Sequence, residues 1–107
     1  MTTPFLLHHN SMYVLITYDV NTVDPAGAKR LRKVAKICKD YGQRVQNSVF
    51  ECLVEPETYT EMKDKILTTI DEESDSIRFY HIGNKYQSKI ECYGRTTSYD
   101  FEGELII

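Results

Sequence analysis

The chain has 107 residues, 41% hydrophobic and 27% charged, with a formal net charge of −3. That length suits one domain, below the roughly 150 residues per domain that would imply a second, and the composition excludes a disorder-dominated chain. No apolar run approaches the roughly 18–20 residues of a membrane span, so a cytoplasmic protein with no membrane partner is expected; Cys38, Cys52 and Cys92, without C-x-x-C spacing, read as reduced core thiols.

Residues 1–11, "MTTPFLLHHNS", have neither the cationic start nor the long apolar stretch of a secretory signal. They read as an added leader or an upstream start, with the domain running over 12–107. His8 and His9 could bind metal, but adjacent histidines on a tail are more often a handle or without a role.

Tyr13 to Val20 is β-branched and aromatic, a buried strand. Asp24 followed by Pro25 is a helix start, a capping carboxylate and then proline at the first helical position. Leu31, Val34, Ala35, Cys38 and Tyr41 then fall on one helical stripe, and Gly42 is expected to end it as a glycine cap. "QRVQNSVFECLV" changes its alternation near Asn47 and Ser48, which a turn at 46–48 between two strands resolves. Pro56 opens a second helix with Tyr59, Met62, Ile66 and Ile70 on one face and Leu67 beside them. "SIRFYHIG" alternates Ile77, Phe79 and His81 with Arg78, Tyr80 and Ile82, and "KIECYG" is a strand after a turn expected at Gly83–Asn84. The tail from about residue 96 ends in Leu-Ile-Ile, which favours addition to a sheet edge. This order predicts an α+β fold, ferredoxin-like βαββαβ with an additional C-terminal strand.

Charge is segregated. Lys29, Arg30, Arg32, Lys33, Lys36 and Lys39 lie in the first helix with no acid among them, whereas acids dominate from Glu51 to Asp75. Two readings stand: solvated faces that keep the protein soluble, or a basic strip that follows phosphates while the acidic helix faces away from them.

No glycine-rich phosphate loop, H-E-x-x-H or nucleophile elbow occurs, and His81 in an aromatic strand reads as a packed residue rather than a catalytic one. Asp19 ends the run "MYVLITYD". It is either a turn residue accepting backbone N–H groups or a ligand for a hard divalent cation, which often takes only one or two protein carboxylates plus waters. One aspartate is a thin site; two copies related by a two-fold axis make a fuller one.

"MYVLITYDV", "KRLRKVAKICKDYGQRVQNSVFEC" and "YDFEGELI" resemble the CRISPR-associated Cas2 family from residue 12 to the C-terminus, and the first-helix wording is similar to the subset beside type I-C interference systems. The resemblance implies a ferredoxin-like homodimer whose C-terminal strand packs on the partner's sheet. It implies an Mg²⁺-dependent endonuclease, Mn²⁺ substituting, that cleaves double-stranded DNA or single-stranded RNA. The catalytic and metal-binding aspartate corresponds to Asp19 with Tyr18 beside it. Arg44 maps on the polar residue entering the second strand, Ser48 and Phe50 near the cleft, and Lys29, Arg30, Arg32 and Lys33 on the basic helix that binds nucleic acid. The resemblance further implies a role in spacer acquisition and antiviral defence, in which the dimer bridges the CRISPR integrase as a DNA-holding scaffold that need not cleave. A small-molecule-sensing module of the same fold is the third reading, against which the basic strip weighs.

Overall fold

Residues alternate strictly along the first strand, β1 (Met12–Asp19): Val14, Ile16 and Tyr18 are buried, while Tyr13, Leu15, Thr17 and Asp19 take the opposite face. The computed structural model describes residues 11–84 and 87–95. The leader up to residue 10 and the expected C-terminal strand from about residue 96 lie outside the described residues.

The first helix, α1 (Pro25–Tyr41), starts as its sequence predicts. The Asp24 carboxylate accepts the Ala26 N–H at 3.1 Å, and Pro25 occupies the first turn. Val34, Ala35 and Cys38 are buried, with Leu31 and Tyr41 packed at the margin of the same stripe. Gly42 follows, but its φ of −170° is extended backbone rather than a left-handed cap, and it opens β2 (Gly42–Gln46). Glycine is required there for space: a Cβ would sit 2.1 Å from the Glu51 carbonyl oxygen and 2.7 Å from the Cys52 Cα on the neighbouring strand.

The chain reverses at Asn47–Ser48, as the change of alternation predicts, and returns as β3 (Val49–Val54), with a register shift between Arg44 and Gln46. The second helix, α2 (Pro56–Leu67), buries Tyr59, Met62 and Ile66; Ile70 lies beyond its last turn yet is also buried. β4 (Ser76–Asn84) continues through Gly83 and Asn84, where the sequence predicts a turn, because its pairing with β5 (Gln87–Gly94) resumes after a register shift and sets Asn84 opposite Gln87.

All neighbouring strands are antiparallel, in the order β2-β3-β1-β4-β5. Residues of both helices join Val14, Ile16, Phe50, Cys52, Ile77 and Phe79 in one core, so the helices cover a single face. This is the ferredoxin-like α+β fold with an extra strand outside β4, and it leaves the face of Asp19 without a helix.

Two polar clusters tie the helix-covered face together. The acidic segment that ends at Asp75 reads from sequence as solvated, but Asp75 itself is fully buried. Arg30 grips it with two hydrogen bonds, Nε to Oδ2 at 2.8 Å and Nη2 to Oδ1 at 2.9 Å. The Tyr18 hydroxyl donates at 2.5 Å and the Asp71 N–H at 3.0 Å. Burial works to raise the Asp75 carboxyl, but these donors outweigh it and hold the group below its usual range. Burial, then the bond to Asp75, pushes the Tyr18 phenol well up.

The second cluster joins α2 to β4 and β5: Tyr59 donates to Glu91, Lys63 pairs with Glu91 at 3.2 Å, and the His81 Nε2 lies 3.0 Å from the Tyr59 hydroxyl and 3.4 Å from Glu91. Burial depresses the His81 pKa against the opposing pull of Glu91.

Removing the buried carboxylate strands the Arg30 guanidinium and the Tyr18 hydroxyl, so Asp75→Ala is expected to cost about 3–5 kcal/mol, read as a lower urea midpoint. The depressed His81 pKa makes its contribution complete above about pH 6.5, the ordinary histidine value. Below that value the unfolded chain takes up a proton that the folded chain resists, so stability is lost as pH falls through the lowered folded pKa. The melting temperature should therefore decline as pH falls below about 6.5, and His81→Gln should flatten that decline.

Candidate functional site

β1 ends in Asp19 because its alternation, having buried Tyr18, must turn the next side chain to the helix-free face. The buried Tyr18–Asp75 bond anchors the preceding residue, so an exposed carboxylate stands on a fixed strand end. The Tyr18 N–H donates to the Ser48 carbonyl at 2.9 Å, which draws the β2–β3 turn alongside. On the other flank Asp19 is opposite Ser76, and Thr17 is opposite Arg78. Thr17, Tyr18, Asp19, Ser48, Ser76 and Arg78 line a cleft of about 320 Å³.

The Asp19 side chain is 69% exposed, and Arg95 Nη2 donates to its Oδ2 at 3.1 Å. Arg95 arrives there by a bend at the end of β5. Gly94 has φ +99°, where a Cβ would lie 2.3 Å from the Asp75 carbonyl oxygen, and the Arg95 N–H donates to that same oxygen at 2.5 Å.

The structure divides the residues singled out from the sequence. Asp19, Tyr18 and Ser48 meet at the cleft, although the Tyr18 phenol turns inward to Asp75. Phe50, expected near the cleft, is fully buried on the helix-covered face, because the turn at Asn47–Ser48 sets the phase of β3 so that Phe50, Cys52 and Val54 point inward. Arg44 is exposed on β2, its guanidinium donating to the Asn47 carbonyl at 2.9 and 2.6 Å and standing 5.7 Å from the Phe50 ring centroid. Lys29, Arg32 and Lys33 are exposed on α1, across the sheet from the cleft. Arg30 shares their helix but is spent on Asp75.

Sequence reasoning passed over Ser76, Arg78 and Arg95. The alternation of Arg78 with Ile77 and Phe79 already put it on the solvent face, yet its register opposite Thr17 had no local signal. Arg95 carries none at all.

Among the described residues no three His, Cys, Asp or Glu side chains gather as a metal cluster. The donors at the cleft are hard oxygens, the Asp19 carboxylate with the hydroxyls of Thr17, Ser48 and Ser76. Mg²⁺ takes such ligands and often only one or two protein carboxylates with several waters, so the donor set fits it as part of a site.

A family model described as "CRISPR associated protein Cas2" matches residues 12–90. The "CRISPR-associated endonuclease Cas2" of Halalkalibacterium halodurans is 56% identical over 95 residues, covering 89% of this chain and 99% of that protein. The "CRISPR-associated endoribonuclease Cas2" of Nitratidesulfovibrio vulgaris is 48% identical over 99 residues, covering 92% and 97%. A crystal structure of Streptococcus pyogenes Cas2 superimposes with a TM-score of 0.66 at 64% identity, covering 67% of this chain and 87% of that one.

Proposed function

The chain belongs to the Cas2 family of CRISPR-associated proteins, and we propose that it is a metal-dependent endonuclease that cleaves phosphodiester bonds with Asp19 as its metal ligand. The observation that carries this reading is the exposed Asp19 carboxylate at the rigid end of β1, beside Ser48, Ser76 and Arg78 in one cleft. Relatives named endonuclease and endoribonuclease support the reaction class.

The helix-free face also carries Tyr13, Leu15 and Tyr80, with Leu53 left 53% exposed. Such a face suits packing against a second copy, which would bring a second Asp19 toward the first and supply two carboxylates where the described lining of one cleft has one. Mg²⁺, when bound, lowers the pKa of a coordinated water and offsets charge on the phosphodiester. The chain's own residues do the rest. Asp19 holds its position through its buried neighbour Tyr18, the cleft hydroxyls orient polar groups, and Arg78 on β4 and Arg44 on β2 offer cationic contacts to the nucleic-acid backbone. Among the described residues no base-reading element accompanies them, so this reading takes duplex DNA, single-stranded RNA or both as substrate.

A second reading, a non-catalytic scaffold that bridges the CRISPR integrase during spacer acquisition, is favoured by one distinct observation. Lys29, Arg32, Lys33, Lys36 and Lys39 are exposed on α1, on the far side of the sheet from Asp19. A duplex held along that strip needs no contact with the cleft.

Asp19→Ala should lower Mg²⁺-dependent cleavage of single-stranded RNA or duplex DNA by about a hundredfold or more, with stability within about 0.5 kcal/mol of wild type because the side chain is exposed. Spacer acquisition that persists in this variant would leave the scaffold as the biological role. Arg32→Glu with Lys33→Glu should flatten the salt dependence of DNA affinity, the slope falling by about 0.9 for each phosphate that the helix no longer neutralises. Arg30→Gln should act differently, lowering the urea midpoint while changing the slope less.

A further inference from the structure

We infer that Arg95 is a phosphate-contacting residue of the Asp19 cleft, held in reserve by the Asp19 carboxylate until a divalent cation takes that carboxylate over. This rests on the reading of Asp19 as a metal ligand.

The backbone of Arg95 is tied into the fold, and its side chain reaches out to an exposed partner. Its N–H donates to the carbonyl of Asp75, a residue whose carboxylate is clamped by Arg30, Tyr18 and the Asp71 N–H. The bend at Gly94 that allows this approach needs its φ of +99°. The guanidinium, 46% exposed, reaches Asp19 through one nitrogen at 3.1 Å. An ion pair this exposed is worth little and exchanges readily.

A divalent cation on the same carboxylate repels the guanidinium, so the two compete for Asp19. The released fork stays tethered within reach of the cleft, and a planar guanidinium matches the oxygens of a phosphodiester better than it matches a single carboxylate oxygen. Cation binding at Asp19 and phosphate binding at Arg95 should therefore strengthen each other by the same factor.

The test uses the full chain as wild type, Asp19→Asn, Arg95→Ala and Arg95→Gln. Mn²⁺ is titrated by electron paramagnetic resonance, and duplex DNA affinity is measured by anisotropy over a range of salt, in Ca²⁺ and in EDTA. With the competitor removed, both Arg95 variants should bind Mn²⁺ about two- to fivefold more tightly, the factor that matches an exposed ion pair, and Asp19→Asn should lose this binding. The wild-type salt slope should be steeper in Ca²⁺ than in EDTA by about 0.9 per chain, one phosphate contact, and the Arg95 variants should show no such difference. Asp19-dependent Mn²⁺ binding that neither Arg95 variant alters, or a slope difference that survives in them, overturns the inference and leaves the metal reading standing. Mn²⁺ binding unchanged in Asp19→Asn overturns the metal reading and the inference with it.

Discussion

A carboxylate removed from water must be met by donors, and Asp75 meets its donors from three separate parts of the chain. Arg30 comes from α1, Tyr18 from the end of β1 and the Asp71 N–H from the loop after α2. An unpaired buried charge would cost several kcal/mol, so these segments are held to one another at a single point. The Asp75 carbonyl extends the constraint to the end of β5 by accepting the Arg95 N–H. The ends of β1 and β5 and the start of β4 are thus referred to one residue that never reaches solvent.

This arrangement fixes the strand end on which the exposed Asp19 stands. Among the described residues the Asp19 side chain is met by Arg95, an exposed partner that would not by itself orient it. Its precision comes from Tyr18, one residue earlier, whose hydroxyl is locked to Asp75. Functional carboxylates on rigid elements hold their geometry better than those on loops, and here the rigidity is supplied from the opposite face of the sheet.

The two faces of the sheet divide the chemistry. One carries both helices, the core and, outermost on α1, the cationic strip; the other carries Asp19, Arg78 and a row of half-buried apolar residues. Cleavage in the cleft and retention of a duplex along α1 would use different surfaces and different physics, ligand geometry in one and counterion release in the other. The two sets of residues lie on opposite faces of the sheet, so neither would interfere with the other.

The sequence by itself determined the elements, because their signals are local. Asp24–Pro25 starts α1, period-2 alternation writes β1 and β4, and the phase change at Asn47–Ser48 writes the hairpin. It also singled out Asp19, an acid at the end of an apolar strand within a family motif. Where a local signal was ambiguous the outcome shifted: Gly42 is glycine for want of room beside Glu51 rather than for a left-handed cap, and Gly83–Asn84 extend a strand rather than turn. Only the tertiary structure decided the partners. Arg30 and Asp75 are 45 residues apart, and Asp19 and Arg95 are 76 apart. In the sequence Arg30 and Asp75 are merely a base in a basic stretch and an acid in an acidic one, and nothing local ties Arg95 to Asp19. Burial turned Asp75 from a surface charge into the anchor of the fold, strand register brought Ser76 and Arg78 to the cleft of Asp19, and the bend at Gly94 brought Arg95 there; none of these is encoded in spacing along the chain.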